Sequence, residues 1–403
     1  MIHRLPRWLG VTVCVFATVA AHAEVRVGYD DALLQAKSRA PGVAVIRATE
    51  QVAEADSRVG GLYPNPTVSG GTSTESARLT LAASVPLAIL GQRSAALAAG
   101  RAEYAVAQLD GRISLVDLRA AAAHAFVGLW LAEHTALARE DGAKVSRRVE
   151  ASVKTRVEVG TAPELEGLRA HAERLRADLD ARSAGAAVDA ASAGLVVWIG
   201  AGFDEPLRAL GDPNVPDRVP ALPELERRIA QTPSVQRAFA ELRASEARAS
   251  SERAQNRPLM TLDFGADLYD PTLPGVTNYH AQLGLELPLF NQRGPLIERE
   301  QRKATVARSQ ARAEQARSNA ELIMAYRTFR ALTEQVTTLR EQIVPTAQNA
   351  AQATEDSYAL GRAPLVAVLD AERARIDAEL SLVESEAARA NVWIDVERTI
   401  GVQ

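Results

Sequence analysis

The chain repeats itself. Ala40-Pro41-Gly42-Val43 is matched by Thr232-Pro233-Ser234-Val235, and Pro66 by Pro258, both 192 positions later. Ser84-Val85-Pro86-Leu87 returns as Glu286-Leu287-Pro288-Leu289 at a separation of 202. Val159-Gly160-Thr161-Ala162-Pro163 returns as Leu360-Gly361-Arg362-Ala363-Pro364, and Ile199-Gly200 as Ile400-Gly401, both at 201. Isolated proline matches arise by chance, but five landmarks in one order at nearly one spacing mark a duplicated unit. The step from 192 to 202 places a ten-residue insertion between Pro258 and Pro288. The two units divide the chain at 24–221 and 222–403, after a leader at 1–23.

Each unit reads as helix, two strands, very long helix, turn, long helix. No proline interrupts Pro86 to Pro163, and charged residues interleave with Ala, Leu and Val from Gln92 to Val159. At 1.5 Å per residue this is a helix of roughly 100 Å. Pro295 to Leu360 has nearly the same reach, and irregularities are expected at Gly142 in the first long helix and Pro345 in the second. The return helices, Pro163 to Gly200 and Pro364 to Gly401, each open on a proline expected in the first turn. Leu165, Leu168, Ala172, Leu175 and Leu179 step by three and four, as do Ile376, Leu380, Val383, Ala387, Ala390 and Ile394. That spacing predicts a packing seam of coiled-coil type common to both copies, which taken alone reads first as an ordinary intramolecular helical bundle. Composition agrees: the chain is 47% hydrophobic but only 4% aromatic, because alanine dominates and permits close helix spacing.

The strands decide the environment. Met260, Leu262, Phe264, Ala266 and Leu268 alternate with Thr261, Asp263, Gly265 and Asp267, and Ala281, Leu283, Leu285 and Leu287 alternate with His280, Gln282, Gly284 and Glu286. The first copy repeats this from Leu79 to Leu87, with a weaker opening strand from Thr67 to Thr74. The strands are thus expected at about 67–87 and 259–289, and their length suits a tilted membrane strand. A soluble hairpin packed on helices has the same alternation. Four strands cannot close a barrel, so a membrane barrel has to be shared among subunits. The insertion falls in the turn Asp270-Pro271-Thr272-Leu273-Pro274-Gly275, expected as an outer loop.

Residues 1–23 carry Arg4 and Arg7, an apolar run from Trp8 to Ala20, and Ala21-His22-Ala23, the layout of an export signal cleaved near Ala23. Cys14, the only cysteine, lies inside the run after Val11-Thr12-Val13, without the small residues that precede a lipid-modified cysteine. The remainder holds 44 basic and 50 acidic residues, a formal charge of −6, which disfavours a general nucleic-acid binder. No later apolar stretch is expected to cross a membrane as a helix.

In this order and duplication the sequence resembles the TolC family of outer-membrane efflux proteins along essentially its whole length beyond the leader. The resemblance rests on Val85-Pro86-Leu87, Leu287-Pro288-Leu289-Phe290-Asn291, Tyr358-Ala359-Leu360-Gly361, Val368-Leu369-Asp370-Ala371-Glu372-Arg373 and Ile400-Gly401. It implies a mainly α fold with a small β part: duplicated helical hairpins forming a periplasmic tunnel, and four strands per chain in a homotrimer's twelve-stranded barrel. It implies residence in the outer membrane, contact with outer-membrane lipid, and a passive export duct. Its partners would be a periplasmic adaptor (membrane fusion) protein and an inner-membrane pump of the proton-driven RND type. The adaptor would dock at tips matching Val159, Gly160 and Thr161, and Leu360, Gly361 and Arg362. Glu166, Tyr358 and Asp370 match gate positions, with Arg362 beside them. The tip glycines also read as helix caps needing left-handed backbone. The brief 201–221 connector, with Pro206, Pro213, Pro216 and Pro220, resembles the heavy-metal (cobalt/zinc/cadmium) branch. Only Met260 and Met324 remain after the leader, against a methionine-lined copper path. A periplasmic coiled-coil adaptor or scaffold without a pore is the alternative, but it would carry one hairpin flanked by β-rich domains.

No catalytic, cofactor or metal constellation stands out. His124, His134, His171 and His280 are scattered, there is no HExxH, and no glycine-rich loop follows a strand in the phosphate-binding arrangement. Asp263, Asp267, His280 and Glu286 are expected to hydrate a lumen.

Overall fold

A computed structural model describes residues 25–72, 79–202, 206–216, 219–268 and 275–402. The leader with its cleavage site, and nearly all of the Asp270–Gly275 turn, lie outside them. The elements run β1 (Val25–Gly28), α1 (Tyr29–Arg39), α2 (Pro41–Val59), β2 (Thr67–Gly71), β3 (Leu79–Leu87), α3 (Gln92–Glu158) and α4 (Glu164–Ile199). They continue with β4 (Leu207–Leu210), α5 (Leu222–Ile229), α6 (Pro233–Gln255), β5 (Leu259–Leu268), β6 (Asn278–Glu286), α7 (Gly294–Thr338), α8 (Val344–Ala359) and α9 (Leu365–Thr399). The series α2-β2-β3-α3-α4 is thus followed by its counterpart α6-β5-β6-α7/α8-α9.

Helix α3 is unbroken over 67 residues, about 100 Å. The expected irregularity at Gly142 is absent. Gly142 is instead a contact point: a Cβ there would lie 2.5 Å from Ile376 Cδ1 of α9, so any larger residue would require the Ile376 side chain to move. The second long helix does deviate, through a π turn at Leu339–Ile343 just before Pro345. Proline has no N–H to donate and its ring crowds the preceding turn, and the wider turn accommodates both. Pro163 and Pro364 are N-caps in extended backbone, one residue before the helices, rather than first-turn residues.

The core lies where α3, α4 and α9 cross, around Phe126, Val127, Leu129, Leu195, Ile199 and Ile394. Here β1 pairs in parallel with β4, so the proline-rich connector carries a strand that its sequence did not announce. Trp130 donates to Asp212 Oδ1 at 3.0 Å. Contrary to expectation, α3 is apolar enough over 18 residues to pass for a membrane-crossing helix. Half of that stretch is buried in the protomer, which accounts for part of that composition.

The four-stranded sheet is antiparallel in the order β2-β3-β5-β6. Its register puts Leu81 opposite Ala266, Ala83 opposite Phe264, Val85 opposite Leu262, and Leu87 opposite Met260. Between β5 and β6, Met260 faces Leu285 and Leu262 faces Leu283. All of these share one face. Ser84 with Asp263, Thr80 with Asp267, Asp263 with Gln282, and Gly265 with His280 share the other. A one-residue slip would exchange the faces, so the alternation fixes the register.

Candidate functional site

The far end of the helices builds the site. Helix α3 ends in a left-handed glycine cap: Gly160 has φ 74°, its N–H bonds the Val157 carbonyl at 3.0 Å, and Thr161 N–H bonds the Arg156 carbonyl at 2.8 Å. Helix α8 ends the same way, with Gly361 at φ 71°, Gly361 N–H on Tyr358 O at 2.9 Å and Arg362 N–H on Ser357 O at 2.8 Å. These paired bonds satisfy terminal carbonyls, and glycine avoids the Cβ clash of left-handed backbone. A Cβ at Gly160 would meet nothing within 4 Å. Val159, Thr161, Leu360 and Arg362 are exposed around the two caps.

The structure brings together two of the gate residues named from sequence. Tyr358, only 6% exposed, lies in a cluster with Val145, Val149, Val153, Leu365 and Val368, which joins the two hairpins. Its hydroxyl donates to Glu166 Oε2 at 3.4 Å. Glu166 is in the first turn of α4, where the helix dipole favours a carboxylate. Burial raises the Tyr358 pKa and the Glu166 charge adds to the rise, while the Arg156 charge opposes it. Arg362 offers the cluster only its backbone. Asp370 is separate as well: it lies exposed on α9, 3.6 Å from Arg373 Nη1.

Sequence reasoning missed Arg156. Its Nη1 donates to the Tyr358 carbonyl at 2.8 Å, and its guanidinium carbon stands 4.5 Å from the centre of the Tyr358 ring. The repeat places Ser357 at the equivalent position, so comparing the copies gives no signal for it. Above the tip, Arg373 grips Glu173 with two bonds, Nε to Oε1 at 3.0 Å and Nη2 to Oε2 at 2.5 Å. That grip holds the Glu173 pKa below the usual carboxylate range. It lines a groove of about 290 Å³ between α3, α4 and α9. Among the described residues no group of three His, Cys, Asp or Glu is placed to hold a metal ion.

The sheet and the first return helix leave apolar surface uncovered. Phe264, Leu283 and Leu285 on the apolar face of the sheet are exposed. On α4, Leu165, Leu168, Leu175 and Leu179 form an exposed row. Three of their copies on α9 differ, with Leu380 buried and Leu369 and Ile376 half-buried, while Val366, the copy of Leu165, is exposed as well. The seam predicted for both return helices is therefore covered within the protomer only in the second.

An apolar-faced sheet with two open edges, continued by a doubled helical hairpin, is the fold found in the protomers of outer-membrane channels with a helical extension. Residues 225–402 match the outer membrane efflux protein family, in keeping with the resemblance read from the sequence. It is 24% identical over 342 residues to the cobalt-zinc-cadmium resistance protein CzcC of Cupriavidus metallidurans, covering 81% of this chain and 80% of that one. The fold matches CusC, a protein crystallised in connection with transmembrane channel formation, with TM-score 0.77 at 17% identity over 92% of this chain and 91% of that one. It also matches the CmeC outer membrane channel of Campylobacter jejuni, with TM-score 0.79 at 13% identity over 93% and 85% of the two chains.

Proposed function

We propose that this protein is the outer-membrane duct of a tripartite efflux system, a passive homotrimeric channel coupled through a periplasmic adaptor to an inner-membrane pump of the proton-driven RND type. The observation that carries the reading is the sheet, whose apolar face has leucines and Phe264 exposed and whose outer strands β2 and β6 have open edges. Exposed apolar sheet surface is stable against lipid, and open strand edges are not, so the edges must be joined by neighbouring protomers. Unlike edges on the two sides of one chain join head to tail and close a ring. The helices support the same arrangement. Helix α2 shows Val45, Val52 and Val59 on one exposed row and α4 shows its leucines, both helices packing chiefly on α3, whereas α7 and α8 pack on α9.

The signal-like leader and the strands favour residence in the outer membrane with the helices in the periplasm. The repeats at 24–221 and 222–403 would each supply one hairpin, and the caps at Gly160 and Gly361 would receive the adaptor. The Tyr358–Glu166 link would hold the tip closed, with Asp370 lining the entrance. Cobalt, zinc and cadmium are the favoured cargo, on the likeness to CzcC. The test is a deletion strain challenged with these ions and, separately, with organic toxicants. Metal sensitivity restored by the wild-type gene supports the reading, and sensitivity confined to organic compounds overturns the cargo. Recovery of the protein as a soluble monomer, absent from outer-membrane fractions, overturns the duct.

A further inference from the structure

We infer that Arg156 is a positioning residue of the closed tip, holding Tyr358 of the second hairpin so that its hydroxyl reaches Glu166. The inference rests on the proposal that the Tyr358–Glu166 link closes the duct. Arg156 lies in the last turn of α3 and Glu166 in the first turn of α4, so both belong to the first hairpin and grip one residue of the other. The Arg156 guanidinium makes two kinds of contact. Nη1 donates to the Tyr358 carbonyl at 2.8 Å, in the last turn of α8, where the negative end of the helix dipole favours a cation. Its plane also stands over the phenol ring, with 4.5 Å between the guanidinium carbon and the ring centre.

Carbonyl and ring belong to the same tyrosine, so backbone and side chain are restrained together. A hydroxyl bond of 3.4 Å is long by the usual standard for two oxygens, and it depends on that restraint. The Arg156 backbone takes part too, since its carbonyl accepts from Thr161 N–H at 2.8 Å and Thr161 Oγ1 at 3.0 Å in the first cap. Arg156 Nη2 is the nearest atom to where a Cβ on Gly361 would stand, at 3.9 Å. One residue therefore joins the first cap, the second cap and the link.

The full chain, purified as the trimer, is reconstituted in planar lipid bilayers, and the open-to-closed ratio is measured for single channels. Tyr358→Phe removes the hydroxyl bond and keeps the ring, and Glu166→Gln removes the charge. Each is expected to raise the ratio by up to about fivefold, the change produced by losing one ordinary hydrogen bond and an upper value for a bond this long. Arg156→Gln is expected to raise it as much, and Arg156→Gln with Tyr358→Phe no further, because both act on one link. Arg156→Lys should fall between wild type and Gln, since one ammonium lacks the planar fork that serves carbonyl and ring together.

A wild-type ratio in Arg156→Gln, with Tyr358→Phe and Glu166→Gln raised, overturns the role of Arg156 and leaves the gate standing. Independent, multiplying effects in the double variant also overturn it. No change in Tyr358→Phe or Glu166→Gln overturns the gate, and the inference with it. A lowered trimer melting temperature with unchanged gating in Arg156→Gln marks a merely structural residue. If Arg156→Gln does not assemble, Arg156→Lys carries the comparison, and a wild-type ratio there, beside a raised Tyr358→Phe, refutes the inference.

Discussion

The leucine row on α4 gives the sharpest test of assembly. Leu168 and Leu179 are 62% and 61% exposed in the protomer, although their copies on α9, Leu369 and Leu380, are half-buried and buried. Fully burying a leucine contributes about 1.5–3 kcal/mol, so covering the remaining three-fifths contributes about 1–2 kcal/mol at each position. If a neighbouring protomer covers both, the pair is worth about 2–4 kcal/mol per interface. A three-fold ring has three such interfaces, which makes the total about 6–12 kcal/mol, an upper value because contact can be incomplete. Replacing both with glutamine isolates this contribution, because leucine and glutamine have nearly equal helix propensity. The double variant Leu168→Gln/Leu179→Gln should therefore keep wild-type helicity by circular dichroism. Its detergent-purified trimer should dissociate at markedly lower temperature, read from the trimer and monomer bands on gels after graded heating. A trimer as heat-resistant as wild type would refute the argument that the row is an intersubunit seam.

Three further outcomes follow from other parts of the fold. Leu283→Arg, on the apolar face of β6, should lower folding stability in lipid vesicles by about 2–4 kcal/mol if it lies near the bilayer midplane; unchanged folding from urea into vesicles would put that face elsewhere. A bulky residue at Gly160 or Gly361 should abolish efflux and leave the trimer assembled, with only about 1–2 kcal/mol of local backbone cost because both glycines are left-handed; normal toxicant resistance in either variant contradicts docking there. His124 on α3 lies 2.8 Å from Asn391 Oδ1 and 3.4 Å from Asp395 Oδ1 on α9, and Arg398 also approaches Asp395 at 3.8 Å. The bond to Asp395 raises the His124 pKa above 6.5 against the effect of burial, and lowers that of Asp395 below 3.8. The histidine contribution is therefore complete below 6.5 and lost as pH rises through its raised value, whereas the aspartate contribution exists above 3.8 and is lost as pH falls through its lowered value. Melting of wild type and Asp395→Asn between about pH 4 and pH 9 should show a gap that is widest in acid and narrows above neutrality, and a constant gap would exclude the pair as its source.

Much of the fold was legible because its signals are local. Helix α3 was readable from a proline-free run and its end from Val159-Gly160, since a left-handed cap is written in neighbouring residues. Strand faces followed from alternation at Leu262, Phe264, Leu283 and Leu285. The candidate site was half legible. Tyr358 and Glu166 could be named, but their meeting required the hairpins to pack together, and Arg156 had no counterpart in the repeat. Gly142 was misread as an irregularity because its neighbour Ile376 lies 234 positions along the chain.

By itself, then, the sequence determined the two copies, the lengths and order of their helices and strands, and which residues share a face. These depend on backbone periods of 3.6 and 2, which a few consecutive residues set. Only the tertiary structure decided which faces are covered. Leu168 and Leu369 occupy equivalent positions in equivalent helices, yet one is exposed and the other half-buried. Exposure depends on what packs alongside: among the described residues α9 packs on α3, α7 and α8, whereas α4 packs chiefly on α3, with lesser contacts to α1 and β4.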